Sequence, residues 1–346
     1  MQGINVFWPV YKNLEQEVLN LSKYVIFNDE QLNVYSLAIA DLIIRASIDV
    51  ESISKELYYR LGGEKNVLDK DGNKRDLYFD TDCIEMLKEK WKIDKKKISI
   101  ATPNFFFEKD EHKCFIPLYK ANKRGDSGCK WKRAYQALKH DRINSLKKAS
   151  IENLIYVMGA LYILNIYYKE ETMSLAENDV FDNRLGSEIF SVAYSKQSGF
   201  SLSLEIDDKN INFFEGDDMD ESIYIITYDL PSIKSIHENH VKDVQESIRK
   251  FCGSSEILSY LKEHPQKKPI NMNGICMEAG GVEFLKRFMA FHNTGRAIMS
   301  AKYEAKLNKN EQLHPTVTLN DLSQQKLITF LQACKEFEDY QQQLSK

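Results

Sequence analysis

Residues 151–168 form the most apolar segment of this chain and limit the folds that the rest can adopt. The segment also holds Glu152, Asn153 and Asn165, and it is barely long enough to span a bilayer. A buried central helix explains this composition better than a membrane span does. We therefore expect other helices to pack around residues 151–168, and we expect no membrane partner.

Length and composition predict a folded chain with more than one unit. With 346 residues, the chain is long enough for two domains with separate cores. Its apolar content of 43% and charged content of 28% leave little room for extensive disorder. Residues 170–182 are polar and acidic, and strand-like runs follow them. We predict an α+β fold with a helical bundle at 1–170, which carries an insertion at 64–130, and an α+β domain with a small antiparallel sheet at 171–346.

Periodicity and turn residues predict the elements of each part. A short amphipathic helix is expected around residues 14–25, and a longer helix over 30–60 should end at Gly62 and Gly63. The insertion should contain a short helix at 82–91. Beyond residue 170 the predicted strands are 187–194, 200–206 and 222–228, and the predicted helices are 231–251, 255–263, 281–307 and 319–344.

Residues 131–142 read Trp-Lys-Arg-Ala-Tyr-Gln-Ala-Leu-Lys-His-Asp-Arg and predict an amphipathic helix. At about 100° per residue, Trp131, Tyr135 and Leu138 share an apolar stripe that should face the core. Arg133 and His140 fall together on the opposite side. A charged pair placed there avoids most of the desolvation cost of burial. We expect this pair to face a cleft or a partner subunit.

This segment resembles the signature of the HEPN superfamily, which comprises all-helical RNases and nucleotide-binding domains. The signature is an arginine, four to six residues and then a histidine, and six residues separate Arg133 from His140. The resemblance extends to the helix expected at 150–168 and to an earlier helix at 47–59. That earlier helix carries Glu51 and Lys55 in a Glu-x-x-x-Lys pair. In all, the resemblance covers roughly residues 30–170.

The resemblance implies a metal-independent endoribonuclease that uses no cofactor. RNA carries its own nucleophile, the 2′-hydroxyl, so the protein needs only to move protons, orient the attack and stabilise charge on the phosphate. His140 would exchange protons near neutral pH, and Arg133 would hold the phosphate through its bidentate fork. Glu51 and Lys55 would orient these groups, and Tyr135 would assist if it turns toward the cleft. The implied products carry a 2′,3′-cyclic phosphate and a 5′-hydroxyl.

The resemblance also implies a homodimer with a composite site, because family members pair two such helices across a two-fold axis. It suggests a toxin-like or phage-defence effector. In this hypothesis the C-terminal domain senses a trigger, restrains the site or binds a regulatory protein or ligand.

The charge pattern bears on RNA binding. The formal net charge of −4 provides no overall basic field, so affinity for RNA would rest on local clusters. Ten lysines and arginines fall between residues 120 and 148, against only two acidic residues. A solvated surface is the alternative interpretation of this cluster. The candidate contacts to RNA phosphate are Lys130, Lys132, Lys139 and Arg142.

Cysteine spacing and the N-terminal residues predict the compartment. The six cysteines form no C-x-x-C pair or other zinc-like spacing, so we predict no metal site. Free thiols in a reducing cytosol are the expected state. The first residues lack the basic and apolar regions of a signal peptide. We expect a cytoplasmic protein.

Two alternatives stay open, a non-catalytic HEPN module that binds a nucleotide or RNA, and a structural protein whose helical domain dimerises. Ala134 stands where active family members commonly carry a polar residue, which weakens the catalytic reading. A second arginine–histidine match, Arg287 and His292, has four intervening residues. It leaves open a second HEPN-like unit, although nearby phenylalanines are typical of core packing.

Overall fold

The structure of the chain is a computed structural model that describes residues 5–69, 71–175, 180–197, 214–264, 266 and 272–310. Helices predominate in these ranges and small sheets accompany them, so the predicted α+β class is confirmed. A π-helical segment, Phe79–Ile84, precedes the third α-helix. The α-helices are α1 (Phe7–Leu21), α2 (Leu37–Arg60), α3 (Glu85–Trp91), α4 (Asp110–Lys113), α5 (Lys130–His140), α6 (Arg142–Ser145), α7 (Ile151–Lys169), α8 (Leu230–Cys252), α9 (Ser255–Glu263), α10 (Met272–Phe288) and α11 (His292–Met299).

The apolar segment forms α7, and its side chains are buried on nearly every face. The helix begins after Ser150, whose hydroxyl accepts a hydrogen bond from the Asn153 amide at 3.3 Å. Helices α1, α2 and α5 all pack against α7, and α2 also contacts α5. The central helix therefore brings the predicted Glu51 helix beside the predicted Arg133 helix. Within the described ranges, no helix is both long and apolar enough to cross a membrane.

Two helix starts differ from the sequence prediction. The first helix begins at Phe7 rather than near residue 14. The second begins at Leu37 rather than at residue 30, because Ser36 caps it by accepting a hydrogen bond from the Ile39 amide at 3.1 Å. This helix ends at Arg60, and two residues later the backbone is left-handed, with φ +84° at Gly62. Its predicted end is confirmed.

The strands form four small sheets in the described ranges. The strands are β1 (Phe27–Asn28), β2 (Val67–Leu68), β3 (Lys74–Arg75), β4 (Ile98–Ile100), β5 (Phe105–Phe106), β6 (Cys114–Phe115), β7 (Met173–Leu175), β8 (Phe190–Val192), β9 (Tyr194–Gln197), β10 (Phe214–Gly216), β11 (Tyr224–Tyr228) and β12 (Tyr303–Leu307). The largest sheet has the order β10-β9-β11-β12-β7, in which only β9 and β11 run parallel. A second sheet has the order β6-β4-β8, and the pairs β1-β5 and β2-β3 make up the others.

The C-terminal elements follow the prediction only in part. Helices α8 and α9 match the predicted helices, and β8 and β11 lie within the predicted strands 187–194 and 222–228. Strand β9 begins at Tyr194, the last residue of the first of these predictions, and extends beyond it. A single helix over 281–307 is wrong, since α10 is kinked at Gly281 and ends at Phe288, and Tyr303–Leu307 is a strand between β11 and β7. The strand predicted at 200–206 and the helix predicted at 319–344 lie outside the described residues.

The main hydrophobic core extends across the domain boundary that the sequence suggested at residue 170. Side chains of α1, α2 and α7 share this core with Phe190, Tyr224 and Ala305. Strand β4 of the insertion also pairs with β8, with Ile98 opposite Val192. A smaller second core lies among α8, α9 and α10. The division into two domains at 170/171 is therefore not confirmed.

Five of the six cysteines lie in the described part of the chain, and all five are free thiols. Burial raises the pKa of the Cys83 thiol to about 12, with a smaller contribution from the neighbouring Asp82 carboxylate. This thiol is therefore protonated at neutral pH. Cys334 lies beyond the described residues.

Candidate functional site

An open cleft of about 600 Å³ lies between α2, α5 and the residues that connect them. Helix α2 contributes Glu51 and Lys55, and α5 contributes Arg133. The structure thus brings together three of the five residues that the sequence assigned to catalysis. The cleft is lined in addition by Leu77, Tyr78, Phe79, Asp80, Arg124, Gly125, Asp126, Lys132, Gln136 and Lys139.

Helical periodicity explains why these side chains face the cleft. On α2, Val50, Ile53 and Leu57 are buried in the core, whereas Glu51 and Lys55, one turn apart, are only partly buried. The alternative interpretation of Glu51 and Lys55 was an ordinary surface ion pair. Their position in the cleft, opposite α5, gives them access to a common ligand.

Helix α5 has the predicted amphipathic form. Trp131, Tyr135 and Leu138 are buried, and the Trp131 indole donates a hydrogen bond to the Pro117 carbonyl at 2.9 Å. The opposite face bears Arg133, followed at helical spacing by Gln136 and Lys139. Burial of one stripe thus fixes which side chains face the cleft.

Arg133 is accessible in the cleft. Its side chain is 43% exposed, and its guanidinium lies 3.5 Å from a carboxylate oxygen of Asp126, which is fully exposed. An ion pair between exposed groups is weak, because water and salt screen it. The guanidinium can therefore exchange this contact for a phosphate at little cost.

Asp80 organises the part of the cleft wall that the segment between α2 and α5 supplies. Its buried carboxylate accepts hydrogen bonds from Arg124 Nε at 2.9 Å and Arg124 Nη2 at 2.8 Å. Lys132 Nζ donates to it at 3.1 Å. Burial alone would raise the pKa of Asp80, but the hydrogen bonds from Arg124 and from the Thr81 amide, together with the charge of Lys132, lower that pKa overall. Asp80 is therefore a permanent carboxylate at neutral pH.

Lys132 differs from the sequence prediction. Its ammonium group is buried and donates to the carboxylate of Asp80 and to two backbone carbonyls, those of Ala121, at 2.8 Å, and Lys123. These three acceptors match the three protons of an ammonium group. Lys132 therefore belongs to the interior of the cleft wall rather than to a surface that RNA could contact.

Tyr135 is buried, and its hydroxyl interacts with Glu51. Burial, then the negative charge of Glu51 and a hydrogen bond to its carboxylate, raise the pKa of Tyr135 to about 12. The phenol therefore keeps its proton at neutral pH and can donate a hydrogen bond to Glu51. It is not among the residues that line the cleft.

His140 lies at the junction of α5 and α6 and is exposed. It follows Arg133 by seven residues, so the two share a face of α5 about 10 Å apart along the helix axis. The lining residues end at Lys139, one position earlier. Within one chain, therefore, the structure does not place His140 in the same cleft as Arg133.

The other predicted RNA contacts lie at different positions. Lys139 is exposed and lines the cleft, with its Nζ 5.5 Å from the centre of the Tyr135 ring. Lys130 lies at the start of α5 and pairs with Glu152 at 2.7 Å. Arg142 is exposed at the start of α6. Of these three, only Lys139 lines the cleft.

Arg287 and His292 do not share a helix. Arg287 lies near the end of α10 and pairs with Glu256 at 3.0 Å, whereas His292 begins α11. Arg287 and His292 therefore do not lie on one helix face, as Arg133 and His140 do on α5.

Sequence reasoning missed Tyr78 and Asp80, and it counted Arg124 only as one member of a basic cluster. Arg124 stacks on Tyr78, with its guanidinium carbon 4.0 Å from the ring centre. No local periodicity connects residues 78–80 with residue 124, because the contacts form only after the connecting segment folds back. The cluster of lysines and arginines was the one signal in the sequence that pointed to this region.

In the part of the chain that the structure describes, no cluster of three or more histidine, cysteine or acidic side chains is placed to hold a metal ion. Comparisons with protein-family models, with curated proteins and with solved structures find no match to this chain.

Proposed function

We propose that this protein is a metal-independent endoribonuclease of the HEPN type, which cleaves RNA by attack of the 2′-hydroxyl. The observation that carries the proposal is the cleft, in which Glu51, Lys55 and Arg133 lie together. These are residues that the HEPN resemblance assigns to a site, and they come from separate helices.

The accessible charges of the cleft suit the chemistry. Arg133 binds the scissile phosphate and stabilises the charge of the transition state. Lys55 and Lys139 line the same cleft and add positive charge to it. Glu51, which accepts a hydrogen bond from Tyr135, orients the basic groups. His140 exchanges the proton of the 2′-hydroxyl or of the leaving oxygen.

A second copy of the chain completes the proposed site. His140 is exposed at the end of α5, beyond the lining of the cleft in its own chain, so a homodimer that pairs two α5 helices would bring it to a phosphate. The proposed enzyme is a cytoplasmic effector of toxin or phage-defence type. Its C-terminal part would respond to a trigger or bind a regulator.

A non-catalytic module that binds RNA or a nucleotide is the second candidate. Two observations favour it. His140 lies outside the cleft lining, and Ala134 next to Arg133 is buried and has no polar side chain. In that case the cleft binds phosphate and releases the RNA intact.

The deciding experiment incubates the protein with structured and single-stranded RNA in EDTA and maps the new ends. We expect 2′,3′-cyclic phosphate ends from the wild type and a loss of about 10²–10⁴-fold in rate for Arg133→Ala and His140→Ala. Arg287→Ala and His292→Ala are matched controls, since they remove the same residue types elsewhere and should cleave normally. Intact RNA with saturable binding would favour the non-catalytic module.

A further inference from the structure

Tyr78 and Arg124 form a stacked pair on the wall of the cleft. The guanidinium carbon of Arg124 lies 4.0 Å from the centre of the Tyr78 ring. Tyr78 is 39% exposed and the Arg124 side chain is 49% exposed. The pair thus presents flat aromatic and guanidinium surface to the solvent within the cleft.

Both members of the pair are held in place by buried or partly buried carboxylates. Asp80 binds Arg124 through two guanidinium nitrogens. The Asp82 carboxylate accepts a hydrogen bond from the Tyr78 amide at 2.8 Å and two from the Arg75 guanidinium at 2.6 and 2.7 Å. The guanidinium carbon of Arg75 in turn lies 4.8 Å from the centre of the Tyr78 ring. The flat surface is therefore formed before any ligand arrives, which lowers the entropy lost on binding.

The neighbours of this pair are suited to a phosphate. Lys55, Arg133 and Lys139 line the same cleft of about 600 Å³, a volume typical of sites for small ligands. A nucleotide has both parts that such a cleft would recognise, a flat base and a charged phosphate. Aromatic rings and arginine planes are the usual stacking partners of unpaired bases in RNA.

We infer that Tyr78 and Arg124 are a stacking subsite for one unpaired base, and that the adjoining phosphate lies against Arg133 and Lys139. The inference rests on the proposed RNA-cleaving function, which it deepens by naming single-stranded RNA as the substrate class. A base inside a duplex is stacked on its neighbours and cannot reach this surface. The connecting segment between α2 and α5 therefore selects unpaired RNA, and α5 supplies the contacts to its backbone.

The test measures binding of a 2′-O-methyl RNA hexamer, which this mechanism cannot cleave, by fluorescence anisotropy. An abasic oligomer with the same number of phosphates is the second probe. We expect Tyr78→Leu to weaken hexamer binding about 10-fold or more and to leave abasic binding unchanged. Tyr78→Phe keeps the ring and should bind within about 3-fold of the wild type.

Tyr119 offers a matched control in the same connecting segment. It is 56% exposed, and Lys120 Nζ lies 5.1 Å from its ring centre, but it does not line the cleft. Tyr119→Leu should therefore leave both affinities unchanged. An equal loss of hexamer and abasic binding in Tyr78→Leu would show that the ring only braces the wall, and this would overturn the inference. Unchanged hexamer binding in Tyr78→Leu would also overturn the inference, as would a wild type that does not bind the hexamer.

A photocrosslink tests the inference without a variant that must fold. A hexamer carrying 4-thiouridine should crosslink in the wild type to the peptide that contains Tyr78 or Arg124, and a crosslink confined to other peptides would contradict the subsite. Neither readout needs catalysis. Base-dependent binding without cleavage of ordinary RNA would retain the subsite and reject the RNase, whereas cleavage without base-dependent binding would reject the subsite alone.

Discussion

The Nζ atom of Lys132 lies 3.1 Å from Oδ2 of Asp80, and both side chains are buried in the wall of the cleft. Arg124 binds the same carboxylate from the solvent side. A single aspartate thus joins the interior of the protein to the exposed surface of the candidate site. Stability and ligand binding should therefore depend on the same side chain.

Asp80→Asn should destabilise the fold by about 3 kcal/mol or more, because it leaves the Lys132 ammonium buried without its countercharge. The measurement is urea unfolding at pH 7. The matched control is Asp126→Asn, since Asp126 is exposed and faces Arg133 across 3.5 Å. Equal stabilities of the two variants would contradict the role assigned to Asp80.

The wild type should also lose this contribution in acid. The pKa of Asp80 is lower in the folded state than in the unfolded chain, so the unfolded chain binds more protons as the pH falls below about 4. The stabilisation is complete well above pH 4 and is lost as the pH falls through the lowered pKa of Asp80. Asp80→Asn should flatten this part of the stability profile.

Glu15→Gln should loosen the contact between α1 and the segment that precedes β8. The buried Glu15 carboxylate accepts hydrogen bonds from Tyr11 at 2.8 Å and from the amides of Glu188 and Ile189 at 3.0 and 3.2 Å. The loss of a charged acceptor here should cost about 2 kcal/mol in the free energy of unfolding.

The control for that change is Glu17→Gln. Glu17 lies on the same helix and pairs with Arg45, but both side chains are about half exposed, so the cost should stay below about 1 kcal/mol. Hydrogen exchange would locate the effect. Protection unchanged at Glu188 and Ile189 in Glu15→Gln would show that the carboxylate does not hold this segment.

Stability should rise with pH from about 7 to 8.5 because of Lys96. This buried ammonium donates to the carbonyls of Asp220 and Ser222 at 3.1 and 3.0 Å. Burial, with the nearby charges of Lys92 and Lys95, lowers its pKa to about 7, although Asp220 opposes the shift.

Above that pH the folded state releases a proton that the unfolded chain keeps until about pH 10.4, so the free energy of unfolding increases by up to about 1.4 kcal/mol per pH unit. Well below pH 7 Lys96 is protonated in both states, so it no longer makes the free energy of unfolding depend on pH. Lys96→Met should remove the slope, as followed by urea unfolding. The range stops at about 8.5 because the cysteine thiols of the unfolded chain are about half ionised at that pH, and their ionisation lowers the free energy of unfolding. A slope that persists in Lys96→Met would assign it to another group.

Binding of the uncleavable hexamer should weaken with salt, because each phosphate contact releases counterions. For a single-stranded ligand, the slope of log affinity against log salt concentration becomes less steep by about 0.7 for each phosphate contact that is removed. Lys139→Gln should therefore reduce the slope by about 0.7. Lys147→Gln removes an exposed lysine outside the cleft and should leave the slope unchanged. Identical slopes for the two variants would show that Lys139 does not contact an RNA phosphate.

Local patterns predicted the elements that frame the site. The apolar stripe of α5 and the apolar run that forms α7 are local patterns, so the sequence alone indicates these helices and the face that bears Arg133. Strand β12 was missed because its conformation depends on pairing with β11 and β7, which lie far away along the chain.

What the sequence determined by itself is therefore the helix faces of the site, with Glu51 and Lys55 on one helix and Arg133 on another. The tertiary structure decided which side chains remain accessible. Lys132 looked like an RNA contact in the sequence but is buried on Asp80, whereas Arg124 is bound by the same carboxylate and stays half exposed. The physical reason is that burial and charge pairing depend on contacts between residues 44 and 52 positions apart, which no helical period encodes.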